Sequence, residues 1–307
     1  MSTLREIKRR ITSIKSIEKI TRAMKMVAAV KFRKAQEAIL AARPYAWKID
    51  EMMKFLLPTV EDVENELLAE REIKRIAVVV VAADRGLCGS FNSNLIKTAQ
   101  NIINTKYSGF YNSRDLSVIT IGKKSFDFFS KRDYDIYAKY TGIFDTLNFE
   151  SVKEIVNDIL SGYREKKFDK IITIYNEFKS VIQSKIIEEQ FLPIISFTAK
   201  EETSESDKPA EDKTDKFKTN YIFEPSAVEI INYLLPKHLN TQMWRILLES
   251  NASEQASRMT AMDSATTNAQ DLISSLQLNY NRARQSAITK EILEVVGGAE
   301  ALKEVSS

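Results

Sequence analysis

Two stretches without a single glycine or proline bracket this chain, residues 1–43 and residues 237–296. Glycine and proline cost a helix interior roughly 1 and 3 kcal/mol, so their absence over such lengths predicts two long uninterrupted helices. In the first, Ile7, Ile11, Ile14, Ile17, Met24 and Val27 recur at helical spacing. In the second the apolar stripe is thinner and richer in small side chains: Ala252, Ala256, Met259, Thr266, Ile273, Leu276 and Ala283. At a 1.5 Å rise per residue these helices extend roughly 60 and 90 Å, and the longer exceeds the width of a compact domain of this size. Spacings of three and four suit a coiled-coil seam, and small side chains allow close approach. Pro44 is a candidate kink, and Gly297-Gly298 a candidate end or bend.

The segment between reads differently. The apolar runs Ile76–Val81, Leu116–Ile121 and Lys170–Tyr175 predict buried strands, and Val181–Glu189 an antiparallel edge. Helical stretches near 92–106, 123–132 and 150–166 alternate with them, which predicts a mostly parallel α/β sheet. Residues 198–219 are almost wholly polar and read as a solvated surface insert. The expected organisation is an N-terminal coiled-coil helix over 1–57, a Rossmann-like α/β domain over 75–235 that includes the insert, and a C-terminal coiled-coil helix over 236–302. The two helices pair as a long antiparallel coiled coil projecting from the domain.

Charge narrows the function. The net charge is only +3, yet the first 34 residues carry eleven Lys or Arg against Glu6 and Glu18. A helix this basic seeks an acidic partner: phosphate, membrane or an acidic protein face. No apolar run approaches the roughly 20 residues needed to span a bilayer. The lone Cys88 forms no internal disulfide and suits a reducing compartment. The turn Asp84-Arg-Gly-Leu-Cys-Gly-Ser90 sits where nucleotide loops sit, between a strand and a helix, but lacks both G-x-G-x-x-G spacing and the Gly-Lys-Ser/Thr of a P-loop. His238, the only histidine, has no ligand or triad partners at useful spacing and reads as a surface or interface residue. The methionines fit packing better than a soft-metal site. The basic face lacks the interleaved aromatics of a nucleic-acid module. No catalytic, cofactor-binding or metal-binding set emerges. The alternative reading is a nucleotide-binding α/β enzyme with a coiled-coil oligomerisation stalk.

Particular segments then resemble a known family. Lys19-Ile-Thr-Arg-Ala-Met-Lys-Met-Val-Ala-Ala29, continuing to Lys34-Ala-Gln36, resembles the N-terminal helix of F-type ATP synthase gamma subunits. Ser253-Glu-Gln-Ala-Ser-Arg-Met-Thr-Ala-Met262, Tyr280-Asn-Arg-Ala-Arg-Gln-Ser-Ala-Ile-Thr-Lys-Glu291 and Val296-Gly-Gly-Ala-Glu-Ala301 resemble the C-terminal helix, and Asp84-Arg-Gly-Leu-Cys-Gly89 the loop after the first strand. The likeness starts near Met1, which leaves no room for a transit peptide. From about 100 to 215 it is one of pattern rather than residues.

The resemblance implies the central-stalk rotor of a proton-translocating F-type ATP synthase, without an active site or cofactor of its own. The implied partners are three alpha and three beta subunits, the epsilon subunit and the membrane c-ring, with no nucleic acid and no direct membrane span. The implied location is the cytoplasmic face of a bacterial inner membrane, as a peripheral protein. By the same resemblance, Met24, Cys88, Arg258, Arg284 and Gln285 face the alpha–beta ring, and Tyr221 and Glu224 face the membrane ring.

Overall fold

The computed structural model describes residues 4–59, 65–69, 71–180, 183–194 and 223–305. The expected 198–219 insert and Tyr221 lie outside them. Helix α1 runs Leu4–Leu56 and α6 runs Ala227–Val305. Between them come β1 (Ile76–Val81), α2 (Phe91–Lys106), α3 (Ser108–Asn112), β2 (Leu116–Ile121), α4 (Lys123–Phe129), β3 (Asp135–Tyr140), α5 (Phe149–Arg164), β4 (Lys170–Phe178) and β5 (Ser184–Leu192).

The chain divides into two compact units. One, over 31–257, holds all five strands in the order β3-β2-β1-β4-β5, with every pairing parallel except β4 with β5. Alternation along β1 sorts its side chains between two helix layers. Ile76, Val78 and Val80 pack with Leu95, Ala99 and Ile103 of α2 and Phe129 of α4. Ala77, Val79 and Val81 face Ile155 and Ile159 of α5, Met53 of α1, and Leu235, Leu239 and Met243 of α6. All six β1 residues are buried, as expected of a strand covered on both faces. Glycine is required at 122: its φ is +93°, and a Cβ there would stand 1.9 Å from the Ala82 carbonyl oxygen.

The other unit comprises residues 1–30 and 258–307. Its cross-helix contacts run in opposite directions along the two chains. Lys25 Nζ meets Asp263 Oδ1 at 2.5 Å, Thr21 and Thr266 hydroxyls are 2.8 Å apart, and Gln270 Nε2 donates to Glu18 Oε1 at 3.3 Å. The helices are therefore antiparallel.

Several expectations shift. The helix of α1 continues through Pro44, flanked by buried Ile39, Ile49 and Met53. Likewise α6 begins at Ala227 and passes through Pro236, with Leu235 and Leu239 fully buried beside it. Packing on both sides of each proline outweighs the one lost hydrogen bond. Gly297 and Gly298 do not end α6; two glycines cost a helix only about 1 kcal/mol each. Strand β3 was not legible as a strand, because Asp135-Ile-Tyr-Ala-Lys-Tyr140 is short and mixed; its pairing with β2 makes it one.

Candidate functional site

In the unit of 1–30 and 258–307, helix α1 carries two apolar stripes. One is the seam. Ile7, Ile14, Thr21 and Ala28 are buried, with Ile11, Glu18 and Lys25 half-buried between them. These positions step by four and three, the 3.5-residue period of a coiled coil. Opposite them on α6, Met262, Thr266 and Ala269 are buried, and Ile273, Leu276, Tyr280, Ala283 and Ala287 continue the same steps half-buried. The seam thus contains a hydroxyl pair, a carboxylate and an ammonium group. Glu18 also pairs with Arg22 one turn on.

The second stripe is exposed. Ile17, Ile20 and Val27 keep 51%, 57% and 57% of their surface in solvent, and Met26 and Val30 are equally open. Ile17 and Val27 were expected in the apolar face and are not in the seam. With Ile20 and Met24 they form a neighbouring row with the same alternation of three and four residues, and it is the row through Ile14, Thr21 and Ala28 that lies against α6. Near the other end of the chain, Ile288, Ile292, Val295 and Val296 form a further exposed apolar row on α6, with Leu293 beside it. Contiguous apolar surface of this kind, rimmed by Lys and Arg, marks a protein-binding face.

In the other unit the loop after β1 is organised by Asp84. Its carboxylate accepts backbone N–H groups of Lys123 at 3.0 Å, Gly142 at 2.8 Å and Phe144 at 3.3 Å. An anion cradled by backbone amides at the carboxyl edge of a parallel sheet is the role a phosphate takes in nucleotide-binding folds; here the chain's own aspartate fills it. Next to it, Cys88 is 1% exposed and packs with Ala83 and Phe91. Its sulfur accepts from Asn92 Nδ2 at 3.1 Å, and Asn92 Oδ1 accepts from the Ala83 amide at 3.0 Å. At the end of β4, Ser253 Oγ of α6 donates to the Asn176 carbonyl at 3.4 Å. These side chains bond to one another and to the backbone at the edge where the alternative reading would have placed a nucleotide. Leu87, by contrast, is 65% exposed and held at φ +64°. Among the described residues, no cluster of His, Cys, Asp and Glu is arranged to hold a metal ion, and no helix is long and apolar enough to cross a membrane.

The whole length of the chain, terminal helices and α/β layer together, is matched by known proteins. The ATP synthase family model covers residues 3–302. The ATP synthase gamma chain of Chloroherpeton thalassium is 51% identical over 305 residues, covering 99% of each chain. The chain belongs to the ATP synthase gamma-chain family. The gamma chain of Chlorobium limicola is 47% identical, covering 99% of this chain and all of that one. Among solved structures, a chain of the Euglena gracilis mitochondrial ATP synthase, in a structure of OSCP, F1 and c-ring, superposes with a TM-score of 0.66 at 18% identity. That match covers 99% of this chain and 96% of the other. A chain from the central stalk and c-ring of the Tetrahymena thermophila enzyme gives 0.57 at 22% identity, covering 80% and 99%.

For this gamma-chain family member, the residues singled out in the sequence scatter over both units. Arg284 and Gln285 are exposed on α6, and Met24 and Arg258 are half-buried. Glu224 is exposed just before α6. Cys88 is turned inward. His238 lies between helices, its Nδ1 3.1 Å from Asp50 Oδ1, as an interface residue rather than a ligand. Sequence reasoning missed Ile20, Val30 and Leu87. Ile17, Ile20 and Val27 share the three–four spacing of the seam, so only the pairing with α6 separates the two rows, and nothing in the sequence marks Leu87 as exposed.

Proposed function

We propose that this chain is the central-stalk rotor of an F-type ATP synthase and carries no catalytic site itself. The full-length 51% identity to an ATP synthase gamma chain carries the reading. Residues 1–57 and 236–302 act as the shaft and 75–235 as the body. The shaft turns inside a ring of three alpha and three beta subunits. The exposed stripe of Ile17, Ile20 and Val27 and the row Ile288, Ile292 and Val296 supply the apolar contact with that ring. Met24, Arg258, Arg284 and Gln285 supply polar and shape-specific contacts. The contact of the 84–90 loop is made by Leu87, with Cys88 buried behind it. Tyr221 and Glu224 touch the membrane c-ring, beside the epsilon subunit. The complex sits at the cytoplasmic face of a bacterial inner membrane and couples proton flow to ATP synthesis or hydrolysis.

The mechanism follows from asymmetry. The faces of the shaft differ, so each catalytic subunit meets different contacts at each angle. A contact biases a subunit's conformations only by its differential free energy between them. Rotation changes which subunit receives which bias, and by linkage nucleotide occupancy biases the angle in return. A seam with Thr21, Glu18 and Lys25 gives the pair one register.

The test is reconstitution. The pure chain should hydrolyse no ATP, and mixed with alpha and beta subunits it should assemble a complex whose steady turnover depends on it. Stoichiometric ATPase activity in the pure chain would overturn the reading.

A further inference from the structure

In the unit of 31–257, successive turns of α6 send polar side chains toward the outer strands of the sheet. Gln242 Nε2 donates to Glu189 Oε1 at 3.1 Å. Arg245 Nη2 lies 3.0 Å from both oxygens of Glu189 on β5. Its Nη1 donates to Tyr175 Oη on β4 at 3.2 Å and reaches Glu249 Oε1 at 3.5 Å. Tyr175 in turn donates to Glu189 Oε2 at 2.9 Å. One carboxylate thus gathers hydrogen bonds from two helix turns and the neighbouring strand.

The network is largely withdrawn from water. The side chains of Glu189 and Glu249 are 18% and 15% exposed, and that of Arg245 is 36%. Burial works against an ionised Glu189, but Arg245 and the hydrogen bonds from Tyr175 and Gln242 hold its pKa below the ordinary value. Burial raises that of Glu249, only partly offset by Arg245, and Glu249 Oε2 is buried without a hydrogen-bond partner. Two carboxylates share one guanidinium.

Adhesion alone does not require this arrangement. Leu239, Met243, Ile246 and Leu247 of the same helix already bury apolar surface in the same core. Apolar residues in place of such an ionic network are often as stabilising or more so. What apolar packing lacks is direction: a greasy face can slide or roll, whereas a charge-assisted network in which one carboxylate is held by Gln242, Arg245 and Tyr175 together has one geometry.

We propose that Arg245, Glu189, Tyr175 and Gln242 form the rotational lock of α6. They fix the helix about and along its axis against β4 and β5, so that torque borne by the sheet passes into the helix without slip. These are positioning residues, and the proposal rests on the rotor reading above.

The assay is ATP-driven ion pumping in inverted membrane vesicles carrying the whole complex, measured beside ATP hydrolysis in the same vesicles. Arg245→Met keeps an unbranched apolar stem but removes the guanidinium fork. Ions pumped per ATP should fall roughly three- to tenfold, with hydrolysis and subunit content near wild type. Arg245→Lys keeps the charge without the fork and should lie between. Glu189→Gln should resemble Arg245→Met. Pumping per ATP within about twofold of wild type in Arg245→Met would overturn the lock. If that variant fails to assemble, Glu189→Gln decides by the same criterion. Failure of the rotor reading itself shows differently, as wild-type complex whose turnover is independent of this chain.

Discussion

Replacing Ile17, Ile20 and Val27 together by Ser should leave the chain as stable as before and weaken its hold on the alpha–beta ring. Burying an Ile or Val side chain completely is worth about 1.5–3 kcal/mol. These three retain 51%, 57% and 57% of their surface in solvent, so about half of that remains for a partner to claim. The loss is then about 1 kcal/mol per side chain and about 3 kcal/mol for the triple variant, or roughly 100-fold in affinity. Within the free chain the same changes touch only solvated positions and should move unfolding free energy by less than about 0.5 kcal/mol each. The contrast is Ile14→Ser, at 8% exposure in the seam, which should cost about 2 kcal/mol or more of chain stability. The assay titrates each chain into alpha and beta subunits and reads ATPase turnover against concentration, alongside the melting curve of the chain alone. A triple variant that melts early yet assembles at wild-type concentration would refute the assignment of this stripe to a partner.

Changing Arg284 and Gln285 to Ala should lower turnover of the assembled complex more than it lowers assembly, since charge-assisted hydrogen bonds are worth about 1.5–3 kcal/mol and act at particular angles; unaltered synthesis and hydrolysis would count against them. Gly122→Ala should destabilise the 31–257 unit by more than about 3 kcal/mol, because the new Cβ meets backbone at a positive φ and no side chain can step aside; thermal or denaturant melting of the purified chain checks it. Thr266→Val should cost about 1 kcal/mol by removing the 2.8 Å hydroxyl pair, and Thr21→Val added to it should cost almost nothing further; a double-mutant cycle that sums to two independent losses would show that the pair is not coupled.

The sequence by itself determined the elements whose signal is local. Absence of glycine and proline specified the two terminal helices, and the runs Ile76–Val81 and Leu116–Ile121 became the strands β1 and β2 at those same bounds. Both signals act through the backbone and nearest neighbours, so no partner is needed to read them. Tertiary structure decided the rest. Ile17 and Val27 were apolar at helical spacing, yet pairing with α6 chose the row through Glu18, Thr21 and Lys25, because those side chains find partners on α6 in Gln270, Thr266 and Asp263. Asp135–Tyr140 became a strand only because β2 offered it a ladder. Pro44 read as a kink, yet α1 continues through it, since buried neighbours on either side hold the helix through the defect. The resemblance implied that Cys88 faces the alpha–beta ring, but within the chain Cys88 is buried and Leu87 is the exposed residue of that loop. Arg245 and Glu189 stand 56 residues apart in sequence and meet only when α6 lies against β5. A pairing of this kind depends on where separate elements come to rest, which no local propensity encodes.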